Sequence, residues 1–300
     1  MSALVAPDAR TAHYGTFYRL TPLPDNFVVV HGNCQAEAIR VLLDGALAAT
    51  VRVPPVHELT ADDLSYLERT YRAARALVAQ PVRDGYRGLP IGTAQVHALL
   101  PTDAALVMFP VLRWSALHPY HLLARSAEVS DPPLVPYYDV RTIARAAGLP
   151  QPRLTVRGIR QVATRSRAEL AVRQARSRTI RADDLFAAAG AGATNTINHP
   201  GNSVLMGVAR RILHRLGAAE QVADPGRELL RSVYAPMEAE TLDALALAGA
   251  PRTHWIVGGE PVDDEEVAQT HLSWLRSQPQ ALELAIRAAV GWSGQYSVAS

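Results

Sequence analysis

The run Phe27-Val28-Val29-Val30-His31, closed by Gly32 and followed by Asn33-Cys34-Gln35, most constrains what this chain can fold into. A β-branched run bounded by turn chemistry predicts a short strand buried on both faces. Gln35 to Ala49 then carries apolar residues at Ile39, Leu42, Leu43, Ala46 and Leu47, the stripe of an amphipathic helix. Thr50-Val51-Arg52-Val53 predicts a second strand, stopped by Pro54-Pro55. A strand, a helix and a strand at this spacing define a βαβ unit, and with it a parallel pair.

Around that unit the organisation is uneven. Residues 1–26 read as a loose lead-in ending in a Pro-rich approach. Thr60-Ala61-Asp62-Asp63 is a capping box with Asp in the last position, and Leu64, Leu67, Tyr71, Ala74 and Leu77 share one face of the helix it opens. A turn-rich stretch, 81–93, precedes a short helix at 94–100 and a strand from Ala104 to Phe109. After a loop-like 110–140, helical patterns cover about 139–147, 158–178, 203–216, 226–247, 263–277 and 280–290. The expected fold is therefore α/β, with a small, mostly parallel sheet in the N-terminal half and an Ala/Arg-rich, predominantly helical second half. Residues 27–235 are expected to form the main domain, and 236–300 a helical extension packed on it.

Bulk composition removes several classes of function. The charged fraction, 19%, and the net charge, +2, argue against binding nucleic acid by bulk electrostatics. The basic residues are all Arg, so a Schiff-base or P-loop lysine is excluded. One cysteine rules out an internal disulfide, and no apolar run approaches the length of a membrane span. The N-terminus lacks a signal-peptide pattern, and the expected location is cytoplasmic.

Cys34, at the point where a buried strand turns into a helix, meets unpaired N–H groups and the positive end of the helix dipole, which favour a thiolate. The same N–H groups can hold an oxyanion, with the side-chain amide of Asn33 or Gln35 as a further donor. A buried, purely structural Cys34 is the alternative. The best-placed base is His199, in the polar loop Asn195-Thr196-Ile197-Asn198-His199-Pro200 that leads into an apolar helix, where it can equally serve as a cap. Asp183, Asp184, Asn195 and Asn198 are all candidates to orient it. His118-Pro119-Tyr120-His121 lacks the further ligands a zinc site needs, so no metal is expected. The Arg-rich stretch from Arg153 to Arg181 reads as the exposed side of a long helix, with contact to an acidic polymer or a membrane surface as the alternative.

Gly32-Asn33-Cys34-Gln35, the loop Tyr86-Arg87-Gly88-Leu89-Pro90, His118-Pro119, Tyr138-Asp139-Val140-Arg141 and Asn198-His199-Pro200 occur in this order. Over residues 27–235 the chain resembles the WcbI family of polysaccharide-biosynthesis acetyltransferases. The resemblance implies a coenzyme A-dependent enzyme that moves an acetyl group from acetyl-coenzyme A to a sugar hydroxyl in capsular polysaccharide assembly. It also implies a helix-rich α/β fold with echoes of the Ser-Gly-Asn-His hydrolases, and Cys34 and His199 in the active site.

Coenzyme A carries three phosphates, for which Arg is suited. Arg83 and Arg87 flank a Gly-rich turn, and Gly88, Gly92 and Thr93 can offer backbone N–H groups as the next helix opens. Arg113, His118 and Tyr120 follow a strand end, where open α/β sheets take ligands. An esterase or thioesterase with the same Cys/His site, or a non-catalytic module for a glycan or coenzyme A, is consistent with the same residues.

Overall fold

A computed structural model describes residues 7–46, 48–293 and 296–298. Leu47, expected on the stripe of the first long helix, lies outside the described residues. So do the first six residues of the lead-in and residues 294, 295, 299 and 300 of the C-terminal extension.

In chain order the elements begin with α1 (Ala9–His13), β1 (Val28–His31), α2 (Cys34–Leu43) and β2 (Thr50–Val51). Next come α3 (Leu64–Arg72), β3 (Ala76–Ala79), α4 (Thr93–His97) and β4 (Ala105–Met108). The middle of the chain holds β5 (His121–Leu122), β6 (Tyr138–Asp139), α5 (Val140–Ala146), α6 (Val156–Arg176) and α7 (Asp183–Ala189). It continues with β7 (Thr194–Thr196), β8 (His199–Pro200) and α8 (Asn202–Arg215). The last elements are β9 (Val233–Tyr234), α9 (Ala239–Ala244), β10 (His254–Val257), β11 (Glu260–Asp263), α10 (Asp264–Ser277) and α11 (Pro279–Ser293).

The chain forms two compact units, each discontinuous. The first comprises Met1–Val111, Val172–Ala182 and Asn202–Leu229, and the second comprises Leu112–Ala171, Asp183–Gly201 and Leu230–Ser300.

The first unit is built on a four-stranded parallel sheet in the order β2-β1-β3-β4. Every residue of β1 and of β3 is buried, as a parallel strand covered on both faces must be. Asn33 caps α2 by accepting the Gln35 N–H at 2.9 Å. Ile39, Leu42 and Leu43 of α2 are buried, and the helix packs on α8, whose Leu205, Val208 and Ile212 are fully enclosed. The segment expected as a loose lead-in contributes Tyr14 and Phe17 to a core cluster with Val29, Leu67, Tyr71 and Leu77.

One helix is shorter than its stripe predicts. The face Leu64-Leu67-Tyr71-Ala74-Leu77 suggests a helix through residue 77, but α3 stops at Arg72 and Ala76–Ala79 pair with β1 and β4. A brief apolar run fits both periods, and the sheet, which can bury all four residues, wins.

The second unit is predominantly helical, with α5, α10, α11 and α6 up to Ala171, and these helices begin and end within a few residues of the predicted limits. The helix expected over 226–247 is replaced by β9 and the short α9. Pro236 lies in its middle, lacks an N–H, and disfavours helix in the residue before it. A sheet in the order β11-β10-β9 was also unforeseen. Its hairpin turns at Gly258 and Gly259, both at positive φ, the two-glycine signature of a tight connection.

At the end of β1, His31 is enclosed. Its Nδ1 is 2.7 Å from the Tyr71 hydroxyl and its Nε2 is 3.0 Å from the Ile91 carbonyl. The carbonyl can only accept, so Nε2 carries the proton and Nδ1 accepts from Tyr71. Burial pushes the His31 pKa down to about 4, against a weaker pull from the Ile91 carbonyl. An unfolded histidine titrates near ~6.5. Below that pH the unfolded chain takes up a proton that the folded chain does not, so this contribution is whole above about pH 6.5 and lost as the pH falls towards 4. Urea unfolding followed by circular dichroism is expected to show a midpoint that drops from about pH 7 to about pH 4.5; a flat midpoint contradicts this account of His31.

Candidate active site

Cys34 is the first residue of α2 and is half-buried. The strand order puts it at a particular place. The chain leaves β1 to form β2 on one side of it and then crosses to form β3 on the other. The C-terminal ends of β1 and β3 therefore flank a topological switch point, where open parallel sheets bind ligands.

What holds the turn is a side chain from the end of β3. Gln80 is buried; its Oε1 accepts the Asn33 N–H at 2.9 Å, and its Nε2 donates to Gln35 Oε1 at 2.8 Å. Its carbonyl accepts from the Thr93 hydroxyl at 2.6 Å, and that hydroxyl in turn accepts the Val82 N–H. Gly32 is required by close approach, since a Cβ there would stand 2.4 Å from Gln80 Oε1. Asn33, Cys34, Gln35 and Thr93 are thus tied into one framework. Gln35 has no exposed surface, so its side chain holds the turn and does not face an incoming molecule. Sequence reading missed Gln80, although a polar residue ending the apolar run Ala76-Leu77-Val78-Ala79 mirrors His31 at the end of β1.

The loop 81–93 is self-contained. Gly92 N–H donates to Gln95 Oε1, Gly88 N–H to the Gly85 carbonyl, and Thr93 N–H to the Val82 carbonyl. The backbone N–H groups expected to cradle a phosphate are engaged by the loop itself and by Gln95 of α4. Arg83 and Arg87 remain exposed. Arg87 donates to the His57 carbonyl at 3.0 Å, and Val56, one residue earlier, bonds the Gly32 carbonyl at 2.9 Å. Arg87 is thereby linked to the segment that begins the Cys34 turn.

His199 belongs to the second unit. The polar loop expected around it is a tight hairpin of β7 and β8, with Thr196 opposite His199. Tyr137 fixes it: its hydroxyl lies 2.9 Å from Thr196 Oγ1 and donates to Asn198 Oδ1 at 2.8 Å. The Tyr137 ring meets the His199 ring edge-on at 6.5 Å. Gly201, just after, lets the backbone pass the Gly192 carbonyl, which a Cβ would meet at 2.2 Å. His199 Nδ1 is enclosed with no hydrogen-bond partner among the described residues. Burial lowers the His199 pKa, Arg125 adds to the effect, and the Val233 carbonyl opposes it. The imidazole is therefore neutral at neutral pH, as a general base must be. Of the candidate orienting residues, Asn195 donates to the Leu230 carbonyl, and Asp183 pairs with Arg167 at 3.4 Å.

Of the other predicted binders in this unit, Arg113 is exposed and precedes Trp114, whose N–H bonds the Ile197 carbonyl of the His199 hairpin. His118 and Tyr120 are buried and serve the unit itself. His118 Nδ1 is 3.0 Å from the Pro236 carbonyl, and its ring stacks on His121. The Tyr120 hydroxyl accepts the Leu154 N–H at 2.9 Å, and Arg141 lies 4.1 Å above its ring. Among the described residues no group of three or more His, Cys, Asp or Glu could hold a metal ion, and no helix is long and apolar enough to cross a membrane.

The first unit of this α/β protein thus carries a thiol at the switch point of its parallel sheet, and the second unit carries a neutral histidine on a hairpin. The sequence model of the polysaccharide biosynthesis enzyme WcbI matches residues 27–221. The chain belongs to the WcbI family of polysaccharide biosynthesis enzymes. One solved structure of WcbI, described as the native protein without a disulfide bond between coenzyme A and one of its cysteines, is similar with a TM-score of 0.69. The identity is 16%, over 89% of this chain and 99% of that one, which establishes the shared fold. No curated protein matches the chain.

Removing the Gln80 amide leaves Gln35 Oε1 buried without its donor and the Asn33 N–H without its acceptor. Gln80→Ala is expected to cost about 2–4 kcal/mol in urea unfolding and to change the rate at which iodoacetamide modifies Cys34. An unchanged midpoint with an unchanged rate contradicts the framework role.

Proposed function

We propose that this chain transfers an acyl group, in the first instance acetyl, from acyl-coenzyme A to a sugar hydroxyl, in the cytoplasm where that donor is made. The observation that carries the reading is the placement of Cys34: the first residue of α2, at the switch point, held by Asn33, Gln35 and Gln80. Membership of a family of polysaccharide biosynthesis enzymes supports a carbohydrate acceptor. The neighbour is described by a disulfide between coenzyme A and a cysteine that its native form lacks, and this chain has a single cysteine.

In the covalent route Cys34 attacks the thioester carbonyl, coenzyme A leaves as its thiol, and the acyl group rests on Sγ. The acceptor hydroxyl then attacks the new thioester while His199 takes its proton, and the Cys34 thiol is restored. Arg83 and Arg87 are assigned to the phosphates through their guanidinium groups, since the loop's own N–H groups are engaged. Asn33 and Gln35 act as positioning residues for the turn.

Intact-mass measurement after incubation with acetyl-coenzyme A is expected to show one acetyl adduct on the wild type and none on Cys34→Ala. Turnover without an adduct moves the chemistry to direct attack by the acceptor. Fast acetyl-coenzyme A hydrolysis that no sugar accelerates overturns the transferase reading in favour of a thioesterase. His199→Ala is expected to lower kcat by about 10²–10⁴. Arg83→Ala/Arg87→Ala should raise KM for acetyl-coenzyme A by roughly tenfold with kcat preserved; an unchanged KM removes both residues from the donor site.

A further inference from the structure

The second unit contains a cavity of about 200 Å³ walled by α5 and α10, with His121 from β5 and Trp255 from β10. At ~30 Å³ per water this space equals about seven waters, room for a single small ring. Its charges are mixed and held in place. Asp139 is chelated by Arg141, whose Nη2 stands 2.6 Å from Oδ2, and Arg141 Nη1 is 2.7 Å from Glu238. Arg145 lies 3.6 Å from Glu265. Asp264 accepts from Trp255 Nε1 at 2.8 Å through Oδ1, and its Oδ2 has no hydrogen bond among the described residues. His121 is buried, and its Nδ1 is enclosed with no hydrogen-bond partner among the described residues. Burial keeps that ring neutral, pushing its pKa down to about 4.

This wall selects by chemistry. An anion meets the carboxylates of Asp139, Asp264 and Glu265, and a cation meets the guanidinium groups of Arg141 and Arg145. Acceptors and donors alternate, with Thr142 and Gln151 adding neutral groups of both kinds. A hydroxyl donates and accepts at once, and is the group such a wall satisfies. The second carboxylate oxygen of Asp264, without a hydrogen bond among the described residues, is an acceptor that a ligand hydroxyl can satisfy.

We propose that the cavity binds one neutral, polyhydroxylated ring of the hexose class, through hydroxyls set between Asp264 and Arg141. The proposal takes from the acyl-transfer reading only that sugars are its substrates. Binding measured with sugar alone, without an acyl donor, separates the two. Saturation-transfer NMR with glucose, galactose, mannose and N-acetylglucosamine at millimolar concentration is expected to show transfer from at least one of them, and less from glucuronate. Asp264→Asn keeps the acceptor for Trp255 and replaces the second carboxylate oxygen by a donor; it is expected to weaken the best sugar by roughly tenfold or more. Gln151→Ala, at an exposed position that tolerates truncation, is expected to weaken it less, with circular dichroism unchanged. No transfer from any neutral sugar, preference for glucuronate, or equal binding by both folded variants overturns the proposal.

Discussion

The Gln80 carboxamide, joining the end of β3 to the start of α2, is the interaction on which the site depends. A parallel sheet fixes where β1 and β3 end, but leaves open how the chain leaves β1. Gln80 settles this by accepting from Asn33 and donating to Gln35, so the two residues flanking Cys34 are held from one point. Both amides are buried, where an unmade hydrogen bond costs far more than a made one gains. The turn therefore has one low-energy geometry, and the thiol inherits it. The Thr93 hydroxyl extends the same restraint to the loop carrying Arg83 and Arg87.

The second unit reaches rigidity by a different means. Trp255 is stacked on His121 at 5.0 Å and on Tyr137 at 6.0 Å, and Tyr137 stands edge-on to His199. His118 continues the row beyond His121. Flat rings in sequence transmit position well because each has few rotamers to change. The hairpin of His199 is thus anchored through Tyr137 to the interior, and the same row forms part of the cavity wall beside Asp264.

Much of the first unit was legible in the sequence, because its first βαβ unit is local: strand, turn and helix lie within a few residues, and each announces itself by period or by turn chemistry. That ground places Cys34 at the start of the helix, where the structure has it. Gln80 was not, since its importance comes from strand pairing across about fifty residues and no local pattern encodes it. The end of α3 was misplaced because Leu77 satisfies helical and strand periods alike. In the second half, the helices α6 and α10 declared themselves by length. The short strands β9 to β11 did not, except for Gly258-Gly259, which went unread. The interleaving of the two units, with Asn202–Leu229 returning to the first, follows from non-local contacts that a linear reading cannot supply.

Gly32 has a consequence for how this sequence can change over time. The space its missing Cβ leaves is occupied by Gln80 Oε1, so position 32 is not free to take a side chain while Gln80 keeps this place. A larger residue at 32 is acceptable only in a chain that has already replaced Gln80, and such a chain must find another way to hold Asn33 and Gln35. Lineages that keep Gln80 are expected to keep Gly32, and only lineages that have lost Gln80 are free to change it.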